Sequence, residues 1–232
     1  MVGLLKTSIG GGIGLVLTPT LSLVLPAPVV IALITPLLNL SDPFTLKYYW
    51  RQWDRGLLRV LVPTVLVGVA VGTWVLSLLS PFSLKKTIGG AILVFVAIQL
   101  GVHGRERAVF GDPPRRAVTG AVGLVAGVAS TVAHSGGVVL GPYLVSLGLS
   151  NAAVVATANA VVAVSNVLKL VGYWQIGFLT GPILLASVLA LPLLFLGTWL
   201  GYRVNRWLPR RWFALALIAV ALAGALRLLL AP

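Results

Sequence analysis

Between Ala117 and Leu168 the chain runs for 52 residues without an Asp, Glu, Lys or Arg, and after the lone Lys169 it runs for 33 more, from Leu170 to Tyr202. Lipid cannot hydrogen-bond a backbone, so only helices or a closed barrel cover such lengths, and a barrel would read as short strands alternating with polar lumen positions. No such alternation is present. The chain therefore reads as an all-α polytopic membrane protein. Its 232 residues are 59% hydrophobic and 9% charged, with a mean hydropathy of +1.05. At ~20 residues per span this length holds at most about eight crossings and leaves no room for a soluble domain. Apolar segments are expected at Gly3 to Leu25, Pro28 to Leu46, Leu57 to Leu79, Leu84 to Val102, Ala117 to Leu147, Asn151 to Leu168, Ile176 to Tyr202 and Trp212 to Leu230.

Seventeen Lys and Arg against four Asp and Glu give a net charge of +13, which in a soluble chain would point to nucleic acid. Here the basic residues fill the gaps between apolar runs, as loops facing the cytoplasm and anionic headgroups require, so the lipid bilayer is the expected partner and nucleic acid is not. There is no cysteine, hence no disulfide framework, thiol nucleophile or Cys-ligated metal. No three plausible ligands form a metal set, and no nucleophile with its base can be assembled. Neither an enzyme nor a cofactor is expected. Lys6 beside an apolar core also fits a secretory signal, but its glycines and the lack of a small-x-small cleavage site argue against one.

The longest hydrophilic stretch, 103–116, divides the chain into a first transmembrane repeat, 1–102, a cytoplasmic linker, and a second repeat, 117–232. Gly-Gly-Ile-Gly-Leu-Val-Leu-Thr-Pro at Gly11 to Pro19 aligns with His-Ser-Gly-Gly-Val-Val-Leu-Gly-Pro at His134 to Pro142 at an offset of 123 residues. Gly72-Thr73-Trp74 aligns with Gly197-Thr198-Trp199 at 125. Duplication of this kind is frequent in secondary transporters, where the substrate sits between repeats near the midplane. Each half opens on a Gly cluster followed by Pro. Gly costs about 1 kcal/mol and Pro about 3 in a helix interior, so each cluster should break its helix, either as one interrupted crossing or as a re-entrant hairpin. The plainer reading, close helix packing through small residues, is outweighed by recurrence at the same place in both halves. A break at membrane depth survives where a cavity serves its polar groups, and it frees N–H groups that attract anions.

Loop charges do not decide between the two forms. Eight single crossings place eleven basic residues on one side, and two inverted repeats of three spans plus a hairpin place twelve there. Both put the linker inside. The 31-residue length of Ala117 to Leu147 suits a hairpin better than one crossing.

Polar groups inside the apolar runs are costly and are therefore candidates for function. The glycines Gly11, Gly12, Gly14, Gly136 and Gly137, with Ser135, offer backbone amides to an anion. Asn39 with Asp42 on the second segment, and Asn159 with Asn166 on its counterpart, should face one another if the repeats pack together. Asn hydrogen-bonds anion oxygens without a fixed charge. Asp42 is a candidate for proton coupling, with a structural pair to Lys47 or Lys169 as the alternative. His134 is a candidate for both substrate binding and coupling, because its unperturbed pKa near 6.5 lets it change charge between compartments. Lys169, placed at the end of its segment, is expected to snorkel to the interface. The tryptophans, mostly near segment ends, are expected to be interfacial anchors.

The order of these features resembles the TauE/SafE sulfite-exporter family of membrane permeases. The likeness is carried by Gly10-Gly11-Gly12-Ile13-Gly14 to Pro19, the basic, Trp-containing loop Lys47 to Arg55, the Gly72-Thr73-Trp74 span, Leu79-Ser80-Pro81, and the degenerate second copy. Asp42-Pro43 falls outside the family pattern. The resemblance implies transport of small anions, sulfite or organosulfonates among them, across a bacterial or archaeal cytoplasmic membrane, with protons as a candidate coupling ion. A passive anion channel and a non-transporting membrane subunit are the alternatives.

Overall fold

The computed structural model describes residues 18, 21, 24–102, 116–190, 192, 222–223 and 225–230. Every regular element among them is a helix: α1 Ala27–Tyr48, α2 Arg55–Leu78, α3 Pro81–Val102, α4 Arg116–Ala133, α5 Gly136–Ser146, α6 Asn151–Gln175 and α7 Gly181–Leu189. Four are long and apolar enough to cross a membrane: α1, α2, α4 and α6. The 25 residues of α6 span about 37 Å at 1.5 Å each, against a hydrocarbon core of about 30 Å. The outward faces carry exposed Val67, Val71, Val167, Val171, Leu185 and Val188, the apolar surface that lipid requires of a bundle.

Helix ends follow from local chemistry. Pro26 precedes α1, with a further Pro in its first turn, where the missing N–H costs nothing. Asp54 caps α2 by accepting from the Leu57 amide at 2.8 Å, and its own N–H donates to Thr157 Oγ1 at 3.0 Å, tying the start of α2 to α6. Ser150 caps α6 through the Ala153 amide at 3.3 Å. Such caps contribute about 1 kcal/mol each.

The closest packing joins α2 to α4. A Cβ on Gly127 would strike the Val65 carbonyl and the Gly68 backbone, one on Gly68 would strike the Leu124 carbonyl, and one on Gly72 would lie 2.8 Å from Thr131 Cβ. Gly68 faces Gly127 directly, while Gly72 lies against Thr131 and Gly123 against Thr64 and the Leu61 carbonyl, so the two backbones touch. The glycines that bring α2 against α4 are these, and Gly136 of the second cluster also packs closely, against Ala126 and Ser130. Leu57, Leu61, Val65 and Val69 then pack with Ala126, Leu140, Leu144 and Val161 near one end of the bundle. Ile31, Leu76, Leu84, Ile88, Val132 and Tyr173 fill the other.

The apolar segment expected from Ala117 to Leu147 is two helices. It breaks at His134, whose φ of 52° is the left-handed region, and the Ser135 amide reaches back to the Ala129 carbonyl at 3.2 Å. The break comes ahead of the glycines, which form the first turn of α5, while Pro142 lies inside that helix. α5 doubles back along α4. A Cβ on Gly136 would lie 2.9 Å from both the Ala126 carbonyl and Ser130 Cβ, and Thr119 is hydrogen-bonded to Tyr143 at the far end. Arg116, Thr119, Leu147 and Leu149 also line one cavity of about 330 Å3 together with Asp54 and Leu57. The two arms thus begin and end together, as a helical hairpin. The expected end of the next segment, at Leu168, is corrected: α6 continues to Gln175 and carries Lys169 in its interior.

Candidate functional site

Three elements carry the polar side chains of this region, and all of those side chains except that of Asn159, which lies nearer the other end of the hairpin, approach the tip. On α6, Asn159, Asn166, Lys169 and Tyr173 fall at helical spacing on one face. On α1, Thr35, Asn39 and Asp42 do the same. The tip itself supplies Ser130, Thr131, His134 and Ser135. The helix here is already loosened, since Pro36 and Pro43 inside α1 cannot donate to the carbonyls four residues earlier.

The polar clusters of α1 and α6 meet. Asn39 Nδ2 donates to the Thr35 carbonyl at 2.9 Å and to the Asn166 carbonyl at 3.0 Å, and Asn166 Nδ2 donates to Asp42 Oδ2 at 2.8 Å. One turn along, Thr35 Oγ1 donates to the Ile31 carbonyl at 3.0 Å and contacts His134 Nε2 at 2.9 Å. Asp42 is 5% exposed, His134 4%, Asn159 1% and Asn166 0%.

Lys169 is not at an interface. It is 0% exposed, and its Nζ donates to both the carbonyl and the hydroxyl of Ser130 at 3.1 Å. The Ser130 hydroxyl lies 3.1 Å from Ser165 Oγ, which donates to the Val162 carbonyl at 2.7 Å. Tyr173 donates to the Thr131 carbonyl, and its ring stands edge-on to His134 at 6.4 Å between centroids. A buried ammonium survives only when its protons find acceptors, and the oxygens around the hairpin turn provide them. The expectation of snorkelling failed because that partner lies on another helix.

Among the described residues, four buried atoms on these helices have no hydrogen-bond partner: His134 Nδ1, Asn159 Oδ1, Asn159 Nδ2 and Asn166 Oδ1. Each such atom costs about 1–3 kcal/mol. His134 Nδ1 carries that cost at the strained turn, with Asn166 nearby on α6, whereas Asn159 carries it ten residues before Lys169, about 15 Å further along the same helix. Gly136 and Gly137 are buried in the first turn of α5, and no side-chain oxygen caps that helix. Ser135 Oγ turns back to the Ala133 carbonyl at 2.9 Å.

Gly11, Gly12 and Gly14 lie outside the described residues. Thr18, from the same motif, is buried, and its hydroxyl is 3.5 Å from the Ala133 carbonyl, one residue before His134. Sequence reading missed Lys169, Ser130 and Tyr173. For Lys169 a signal existed: it is the only charge in 86 residues, from Ala117 to Tyr202. No group of three metal-ligating side chains occurs among the described residues. The cavity beside Asp54 and Arg116 lies at the opposite end of the hairpin from this junction.

A family model described as "Sulfite exporter TauE/SafE" matches residues 1–228. No curated protein and no solved structure matches the chain.

Proposed function

Because the chain belongs to the TauE/SafE sulfite exporter family, we propose that it is a secondary permease moving a small anion, sulfite or an organosulfonate, across the prokaryotic cytoplasmic membrane. Members of this family are membrane transporters of sulfite and related anions. The observation that carries the reading is the partnerless buried Nδ1 of His134 at the tip of the α4–α5 hairpin, where Ser130 holds the buried Lys169, and where Asn166, with its own partnerless Oδ1, lies one turn from that lysine on α6.

In this reading α4 and α5 form a re-entrant hairpin entering from the linker side. α5, at 11 residues, covers about 16 Å and is too short to cross. The anion meets the Gly136 and Gly137 amides at the start of α5, the Asn166 side chain and the charge of Lys169, and Asn159 stands further along its path on α6. Gly11, Gly12 and Gly14 supply the matching half from the first repeat, by their alignment with the second motif. Asp42 and His134 take up and release the coupling proton, and relative motion of the two repeats alternates access. The linker faces the cytoplasm by its excess of basic residues.

Sulfite uptake into proteoliposomes, with and without a proton gradient, tests this. Concentrative uptake under a gradient is expected, and His134→Ala and Asn159→Ala should each lower it about tenfold through lost hydrogen bonds to a charged ligand. Trp74→Ala, on the exposed surface, should leave it unchanged. Current far above carrier rates would make the protein a channel, and no uptake of any small anion would make it a non-transporting subunit.

A further inference from the structure

The cavity at the open end of the hairpin, remote from the His134 turn, is lined by both signs of charge. Its volume of about 330 Å3 is at the lower end for small-ligand sites. Its walls include Asp54, Leu57 and Val60 at the start of α2, Arg116 at the start of α4, and Leu147 and Leu149 after α5. One carboxylate oxygen of Asp54 accepts from the Leu57 amide at 2.8 Å, which leaves the other outside the cap. Among the described residues no ion pair joins Asp54 to Arg116, although both line the same space. Opposite charges that share a cavity without pairing are complementary to a ligand that itself carries both.

The depth of the cavity in the membrane follows from packing. Gly68 meets Gly127 and Gly72 meets Thr131, so α2 and α4 run parallel, and these two spans begin side by side here. Trp50 and Trp53, edge to face at 5.2 Å between centroids, precede Asp54 in the chain, and such indole rings mark the headgroup layer. We propose that the cavity holds the headgroup of a zwitterionic phospholipid with a primary ammonium, the phosphatidylethanolamine class. Arg116 donates to the phosphate, the ammonium donates to the Asp54 carboxylate, and the leucines with Val60 offer apolar wall to the start of an acyl chain. A glycerol headgroup brings no cation to Asp54. A choline headgroup brings a cation without N–H hydrogens.

Native mass spectrometry of the full-length protein released from detergent tests this with phosphatidylethanolamine, phosphatidylglycerol and phosphatidylcholine of matched acyl chains at equal mole fraction. Phosphatidylethanolamine should bind about fivefold more tightly than either of the others, the size of one half-exposed charged contact. Asp54→Asn keeps an N-cap of equal quality and removes the charge, so the preference should vanish while the thermal midpoint of the lipid-free protein stays unchanged. Arg116→Gln, at an exposed position, should weaken all three lipids about fivefold and tests the phosphate half by itself. Soluble phosphoethanolamine has the same charges without acyl chains and should bind at least about tenfold more weakly than the lipid. Equal binding of the three lipids, tightest binding of phosphatidylglycerol, or a preference that survives Asp54→Asn would overturn the proposal. Phosphoethanolamine binding as tightly as the lipid would overturn the lipid as occupant and make it a soluble zwitterion.

Discussion

His134 holds a backbone conformation that costs a residue with a Cβ about 1–2 kcal/mol, and it does so while one ring nitrogen stays unpaired. Asn159 leaves both ends of its amide unpaired at 1% exposure. Stability alone would have removed both. Asn159→Leu should therefore raise the thermal midpoint in detergent, by about 1 kcal/mol or more of regained desolvation, while lowering anion uptake. A lower midpoint would mean that the amide contributes to the fold. At this scale much was legible in the sequence. Asn39, Asp42, Asn159 and Asn166 stand out as polar groups in apolar runs, although the repeat offset of 123 puts Asp42 opposite Ser165, one residue short of the Asn166 that bonds it. Lys169 was misread, because a charge at the edge of an apolar run looks like its end, and the acceptor that keeps it inside is 39 positions earlier. The left-handed turn at His134 was hidden for a similar reason: no glycine marks it.

At the scale of elements, glycine does two different jobs. Gly68, Gly72, Gly123 and Gly127 let two helices touch, and in lipid such contact replaces the missing hydrophobic drive for association. Gly90 has open space around it. Gly127→Ala should destabilise by about 1–3 kcal/mol, since its Cβ meets backbone that cannot move aside. Gly90→Ala should stabilise by up to about 1 kcal/mol through helix propensity. Denaturation of the two variants side by side checks the contrast, and equal shifts would mean that the α2–α4 contact is not tight. Helix loss at the α2 cap offers a milder case: Asp54→Ala should cost about 1 kcal/mol in the same assay. The long spans were readable from hydropathy to within a few residues, as with Pro28 to Leu46 for α1. The break inside Ala117 to Leu147 was expected from composition, but its position was not, because the turn is fixed by contact between the arms, Gly136 on Ser130, and not by Pro142.

For the whole molecule, the hairpin decides which ends share a side of the membrane. The chain has no cysteine, so single cysteines report location without background. Arg116→Cys and Asn151→Cys should react with a membrane-impermeant maleimide from the same side, and Gln175→Cys from the opposite one. Reaction of Arg116→Cys and Asn151→Cys from opposite sides would make α4 and α5 a single interrupted crossing. The contact between α2 and α4 bears on how such a molecule moves. Main chains that touch have no layer of side chains between them to slide or repack, so the pair acts as one stiff strut with the turn at His134 fixed to its end. Relative motion of the helices then falls at other seams, such as that of α1 against α6, which meet through the side chains of Asn39, Asp42 and Asn166.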